Sequence, residues 1–145
     1  MKILISGLVN IETTLRINSF PIHYYPVDYP FYGIHSSVSG VAYNLAKALG
    51  TLQDSVQLFS FLGNDDEALR ILNQLQKDNI SIFEPLCDYY RKDVEKQYAE
   101  GNVPGMTVEP EVPEDLLALA KAYTDTAIIS ICRFSGEGWD TKSVI

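Results

Sequence analysis

Side chains able to do chemistry gather at two places in this sequence of 145 residues. The first is a pair of short segments, Gly7-Leu8-Val9-Asn10-Ile11-Glu12 and Ser39-Gly40-Val41-Ala42-Tyr43-Asn44. The amides of Asn10 and Asn44 and the carboxylate of Glu12 can exchange hydrogen bonds with ligand hydroxyls, and Gly40 lets backbone approach a ligand closely. A later turn, Gly63-Asn64-Asp65, again pairs a glycine with a carboxylate. The second place is the stretch Phe134–Asp140, where the carboxylates of Glu137 and Asp140 lie in a loop with two glycines. Asp140 lies too close in sequence to face Glu137 across a bond, and is expected to serve a hydrogen bond within the loop. Cys87 and Cys132 sit in apolar-periodic segments without metal-ligand spacing and read as free buried thiols.

Composition narrows the partners. Hydrophobic residues make up 46% and charged residues 21%, near the average of soluble domains. A net charge of −8 and the lack of a basic run or basic helix face argue against nucleic acid. The apolar stretches are strand-sized, too short to cross a bilayer. Met1–Ile5 runs into Gly7 and Asn10 without a signal-peptide pattern, so a cytoplasmic protein is expected.

Five core elements must position these residues. Lys2–Leu8 is a nearly continuous apolar run, the pattern of a buried parallel strand. Thr13–Asn18, Ile22–Tyr25 and Gly33–Val38 are β-rich pieces separated by prolines, which predicts a small β-flap over 13–38 crowded with aromatic residues. Ser39 is expected to cap a helix with Val41, Leu45, Ala48, Leu49 and Leu52 on its core face. Ser55–Leu62 reads as a second buried strand. Asp65 and Asp66 open a helix with Ala68, Leu69, Leu72 and Leu75 inward and Asn79 at its stop.

The pattern changes after Ile82. Leu86, Tyr90, Val94 and Tyr98 form a helix stripe ended by Gly101, and Gly101–Pro113 is an irregular loop with two glycines and three prolines. Val112-Pro113-Glu114-Asp115 starts a further helix, with Leu116, Leu119, Ala120 and Tyr123 buried. Thr126–Arg133 is a third strong strand. Strands alternating with helices predict an α/β fold: a mostly parallel sheet flanked by helices, plus the flap.

From Lys2 to Ile82 the order of these features resembles ribokinase-like (PfkB-type) carbohydrate kinases. The resemblance implies a sugar site at Asn10, Glu12, Gly40 and Asn44, with Gly63 and Asp65 marking a later turn. Glu12 stands where that family usually has Asp, Val41 replaces a second glycine, and Ala68 a third. The longer acid and the added Cβ of Val41 both take space from the pocket. The family's late glycine-rich G-A-G-D turn, which serves the γ-phosphate and holds the base, has no counterpart here.

From Leu86 to Asp140 the chain resembles part of the second α/β domain of family 3 glycoside hydrolases. Pro113-Glu114, Ala127–Ile131 and Arg133-Phe134-Ser135-Gly136-Glu137-Gly138-Trp139-Asp140 carry the likeness. It implies an acid/base role for Glu137, while the family's nucleophile lies on a separate domain. Thr141 stands where the family usually has Arg.

The expectation is therefore a single chimeric α/β domain over 1–145, joining a ribokinase-like half (1–82) to a glycoside-hydrolase-3-like segment (83–145). No catalysis, cofactor or metal is expected of it, and it is expected to dimerise through the flap. The alternative is a kinase fragment that binds a sugar or nucleoside and uses ATP and Mg only if the missing half is supplied.

Overall fold

The computed structural model describes residues 1–17, 19–21, 31–103 and 106–130. Two sheets organise them. The strands β1 (Lys2–Ser6), β4 (Ser55–Phe59), β5 (Ser81–Ile82) and β6 (Ala127–Ile129) form a four-stranded sheet in the order β5-β4-β1-β6, with every pairing parallel. A separate antiparallel hairpin joins β2 (Asn10–Leu15) to β3 (Ile34–Ser39). The helices are α1 (Val41–Thr51), α2 (Asp66–Lys77), α3 (Glu84–Ala99) and α4 (Glu114–Tyr123). This is the α/β fold expected from the alternation of elements.

The parallel ladder follows from the apolar runs. In β1, Ile3 and Ile5 face one side and Leu4 the other, and all three are buried. Register pairs Ile3 with Val56 and Ile5 with Leu58, so one sheet face is continuous and apolar. Ala42, Tyr43 and Ala46 of α1 and Ile71 and Leu75 of α2 close over it. On the opposite face the Phe59 ring meets Tyr90 of α3 at 5.1 Å between centroids. Helix α4 then packs against α3.

The winding direction reverses beside β1. From β1 the chain steps outward to β4 and β5 through α1 and α2, then returns through α3 and α4 to place β6 on the other side of β1. Strands from before and after Ile82 thus share one sheet. The return is stitched down at the amino-terminal end of the strands. Thr124 Oγ1 donates to the Lys2 carbonyl at 2.6 Å and Tyr123 Oη to the Ser55 carbonyl at 3.0 Å.

Several helix faces differ from the periodicity reading. Ser39 ends β3, and Gly40 is the residue before α1, with no side-chain cap. Ser39 is held by the hairpin ladder opposite Asn10, and so is not released to cap. The buried face of α1 is consequently Ala42, Tyr43 and Ala46, with Leu45 and Leu49 at its margin; Val41, Ala48 and Leu52 are exposed. In α2 the inward residues are Ala68, Ile71 and Leu75, whereas Leu69 and Leu72 are exposed. Which side of each helix turns inward is set by the surface it meets rather than by the count of leucines along it.

Leu119 of α4 is exposed and Leu116 is its buried residue. Pro113 precedes α4 rather than opening it. The strand expected over Ser55–Leu62 ends at Phe59, and the flap strand expected from Thr13 already begins at Asn10. The expected β-piece Ile22–Tyr25 lies outside the described residues.

Candidate functional site

Asn10 and Glu12 lie on β2, and the hairpin register brings them to the base of α1. Asn10 pairs with Ser39, the neighbour of Gly40, and Glu12 pairs with Ser37. Alternation along a strand puts Asn10 and Glu12 on one face of the hairpin and Ile11 on the other. Ile11 and Val38 pack against the core, so the Asn10–Glu12 face looks away from it, and both residues are exposed. Asn44 is one helical turn beyond Gly40 and also exposed. The structure therefore brings Asn10, Glu12, Gly40 and Asn44 to one edge of the fold, at the carboxyl end of β1. Glu137, Cys132 and Asp140 lie outside the described residues.

Gly40 has a backbone reason for its identity. Its φ of +104° with ψ of 150° belongs to a region that residues with a Cβ avoid. A Cβ there would overlap the Leu8 carbonyl oxygen and approach Val9 Cα to 2.9 Å. That carbonyl accepts from the Ala42 N–H at 3.1 Å, which fixes the start of α1 against the end of β1. A second close approach lies nearby: a Cβ on Gly7 would come within 2.7 Å of Ser130 Cβ. The end of β6 is thereby pressed against the same corner, where Ser130 N–H donates to the Ser6 carbonyl at 2.8 Å. This corner is the point at which the winding reverses, the usual place for a ligand in an open parallel sheet.

The flap is held over α2 by one arginine. Arg70 Nη1 donates to Ser36 Oγ at 3.1 Å and Nη2 to the Ser36 carbonyl, while Thr13 Oγ1 donates to Ser36 Oγ at 3.2 Å. Asp65, the acid of the glycine turn, is a helix cap: its Oδ1 accepts from the Ala68 N–H at 2.8 Å.

Beneath α1 is a partly buried polar clamp that the sequence did not reveal. Tyr43 Oη donates to Asp78 Oδ2 at 2.6 Å, Gln74 Nε2 donates to the same oxygen at 2.9 Å, and Lys47 Nζ donates to Tyr43 Oη at 3.3 Å. Burial, then the Asp78 acceptor, push the Tyr43 phenol up. The Tyr43 hydroxyl raises Lys47. Burial works to raise Asp78, but the donors Gln74, Tyr43 and Lys47 together bring its carboxyl below the usual range. These groups tie α1 to the end of α2 on the structural side of the fold.

A cavity of about 730 Å³ opens at the carboxyl end of β4, between α2 and α3. Its floor is apolar, from Leu58, Ile71 and Leu75, and its wall carries the rings of Phe61, Tyr90 and Tyr98. Tyr90 Oη donates to Glu109, and burial followed by that carboxylate raises the phenol strongly. Cys87 lies half-buried on the same wall as a free thiol, raised by burial and then by Glu84. The stripe Leu86, Tyr90, Val94 and Tyr98 expected of this helix supplies Tyr90, Val94 and Tyr98 to the lining. No sequence signal marked the cavity itself, because its lining comes from β4, α2 and α3 together.

No family model matches the chain. Over 71 residues, 49% of its length, it is 55% identical to beta-glucosidase A of Butyrivibrio fibrisolvens, and it spans 8% of that protein. Among solved structures, the microbiome-derived acarbose kinase Mak1 aligns with 56% of this chain at a TM-score of 0.50 and 20% identity. That alignment covers 26% of the kinase chain. At this identity the likeness speaks for the fold. The resemblances to a ribokinase-like carbohydrate kinase and to a family 3 glycoside hydrolase thus each have a counterpart. In both cases the chain spans a small part of the similar protein.

Proposed function

We propose that the chain is a chimera of two carbohydrate-enzyme pieces, a PfkB-type front and a family 3 glycoside hydrolase segment. Its role is that of an α/β scaffold that performs neither phosphoryl transfer nor glycoside hydrolysis on its own. The shared sheet supports this reading: β1, β4 and β5 precede the change of character near Ile82, and β6 follows it, yet all four join one ladder. Glycoside hydrolysis needs two carboxylates across one bond.

A second reading, favoured by the hairpin register, is a binder of a sugar or nucleoside at Asn10, Glu12, Gly40 and Asn44. Under it ATP and Mg act only when further protein completes the site. The flap carries exposed Leu15, Phe20, Tyr32 and Ile34, which supports a second copy of the chain as partner through that surface. No helix among the described residues is long and apolar enough to cross a membrane, and Cys87 is a free thiol, which suits a cytoplasmic setting.

The deciding experiment is a thermal-shift panel of sugars, nucleosides and ATP-Mg, run beside assays for phosphoryl transfer and for β-glucoside hydrolysis. The scaffold reading expects no turnover above a no-protein control, and turnover in either assay would overturn it. A melting shift abolished by Glu12→Gln would establish the binder instead.

A further inference from the structure

The cavity between α2 and α3 reaches the Asn10–Gly40 corner at Val9, but the lining that α3 supplies has a chemistry of its own. Helix α3 presents Glu84, Cys87, Arg91, Glu95 and Tyr98 to it, at spacings that lie along one side of a helix. Glu95 is three residues before Tyr98, so carboxylate and ring are neighbours on the helix surface. Phe61 and Tyr90 face each other edge-on at 5.1 Å and add two further aromatic rings to the wall.

The charge is one-sided. Glu84 and Glu95 make no ion pair among the described residues, and the one cation of the lining, Arg91, is already paired with Asp88 at 2.8 Å. An apolar floor, aromatic walls and two unpaired carboxylates match the recognition of an organic cation. The rings attract the positive charge through their faces, and the acids complement it. The volume, about 730 Å³, is that of a site for a small organic molecule.

We propose that this cavity binds a small organic cation with an apolar body, a ring-bearing ammonium, through Tyr98 and Phe61 with Glu84 and Glu95. Neither Asn10 nor Glu12 lines the cavity, so cation binding here is tested apart from sugar binding there. Cys87 in the wall provides a local reporter.

The test uses the full chain and benzyltrimethylammonium as probe, with benzyl alcohol and phenylacetate as neutral and anionic comparators. Calorimetry reads affinity. Iodoacetamide labelling with peptide mass mapping reads access to Cys87 separately from Cys132. The expected result is saturable binding of the cation at least about tenfold tighter than of benzyl alcohol, no binding of phenylacetate, and slower alkylation of Cys87 when the cation is bound. The double variant Glu84→Gln, Glu95→Gln is expected to lose about tenfold in affinity for the cation and little for benzyl alcohol. If it does not fold, Tyr98→Leu, which keeps the bulk and removes the ring, is expected to weaken the cation selectively. Equal affinity for all three probes, binding that leaves Cys87 alkylation unchanged, or no binding of the cation would each overturn the proposal.

Discussion

Gly40 offers a direct test of whether a glycine in a sugar-site pattern serves a ligand or the fold. The substitution is Gly40→Ala. Its backbone, at φ +104° and ψ 150°, lies in a region where a residue with a Cβ costs about 1–3 kcal/mol. The new methyl would also overlap the Leu8 carbonyl, which cannot retreat without loosening its 3.1 Å bond from the Ala42 N–H. Overpacking of that kind costs about 1–3 kcal/mol more. The expected loss is therefore about 2–6 kcal/mol, a large share of the roughly 5–15 kcal/mol that holds a domain folded.

Urea unfolding of the full chain followed by circular dichroism measures it. With a slope of about 2 kcal/mol/M, the midpoint should fall by about 1–3 M at unchanged slope. Asn44→Ala is the control: the side chain is exposed and forms no hydrogen bond among the described residues, so its stability should stay within about 0.5 kcal/mol of the parent. If Gly40→Ala shifts the midpoint no more than Asn44→Ala does, the packing argument is wrong. The glycine would then be free to serve a ligand.

Other consequences can be measured in the same way. Gln97 is buried, and its amide brackets Val108, donating to the carbonyl at 2.8 Å and accepting from the N–H at 2.8 Å; Gln97→Leu should cost about 2–3 kcal/mol and speed hydrogen exchange at Val108. Asp78 sits below its ordinary range, so its stabilisation is full above the unfolded value near ~4 and is lost as pH falls through the lowered folded value; the stability gap between the parent and Asp78→Asn should close on that acid limb and stay constant at neutral pH. Tyr43 and Lys47 are raised, so their contribution is full below about pH 10 and is lost as pH rises through the raised folded values; Tyr43→Phe should flatten that alkaline limb. Residues 1–82 expressed alone should show no cooperative transition, because β1 would lose β6 and the second sheet face would lose Tyr90; a sharp melt of that piece would refute the dependence.

Elements whose signal is local were legible. The run Ile3-Leu4-Ile5 was readable because buried parallel strands are apolar on both faces, and Ala127–Ile129 shows the same apolar run although it forms an edge strand with Ala127 and Ile129 exposed. Asp65 was readable as the start of α2 because a short acid before a helix satisfies its free N–H groups. Helix faces were less legible. Leucine periodicity pointed to Leu69 and Leu72 in α2, yet Ile71 is the buried residue. Which apolar stripe turns inward depends on the partner surface, and Leu72 is diverted to the cavity. The Tyr43–Asp78 clamp and the Gln97 bracket join residues far apart in sequence, and no spacing announces them.

The sheet order explains how a strand after Ile82 can complete a core begun before it. A central parallel strand asks of its neighbour an apolar three-residue match, a right-handed return and a tight corner, and little else about its sequence. β6 meets the first through Ala127, Ile128 and Ile129 opposite Leu4, Ile5 and Ser6, and Ile128 faces the core. Helices α3 and α4 supply the return, and Thr124 and Tyr123 anchor its end to Lys2 and Ser55. The corner requires Gly7, because the Ser130 side chain, just past β6, lies where a Cβ would stand. Gly7 and Gly40 in the kinase-like pattern therefore do structural work in the assembled fold, which is why their presence alone says little about a bound sugar. The residues free of that duty, Asn10, Glu12 and Asn44, are the ones on which a sugar-binding claim has to be tested.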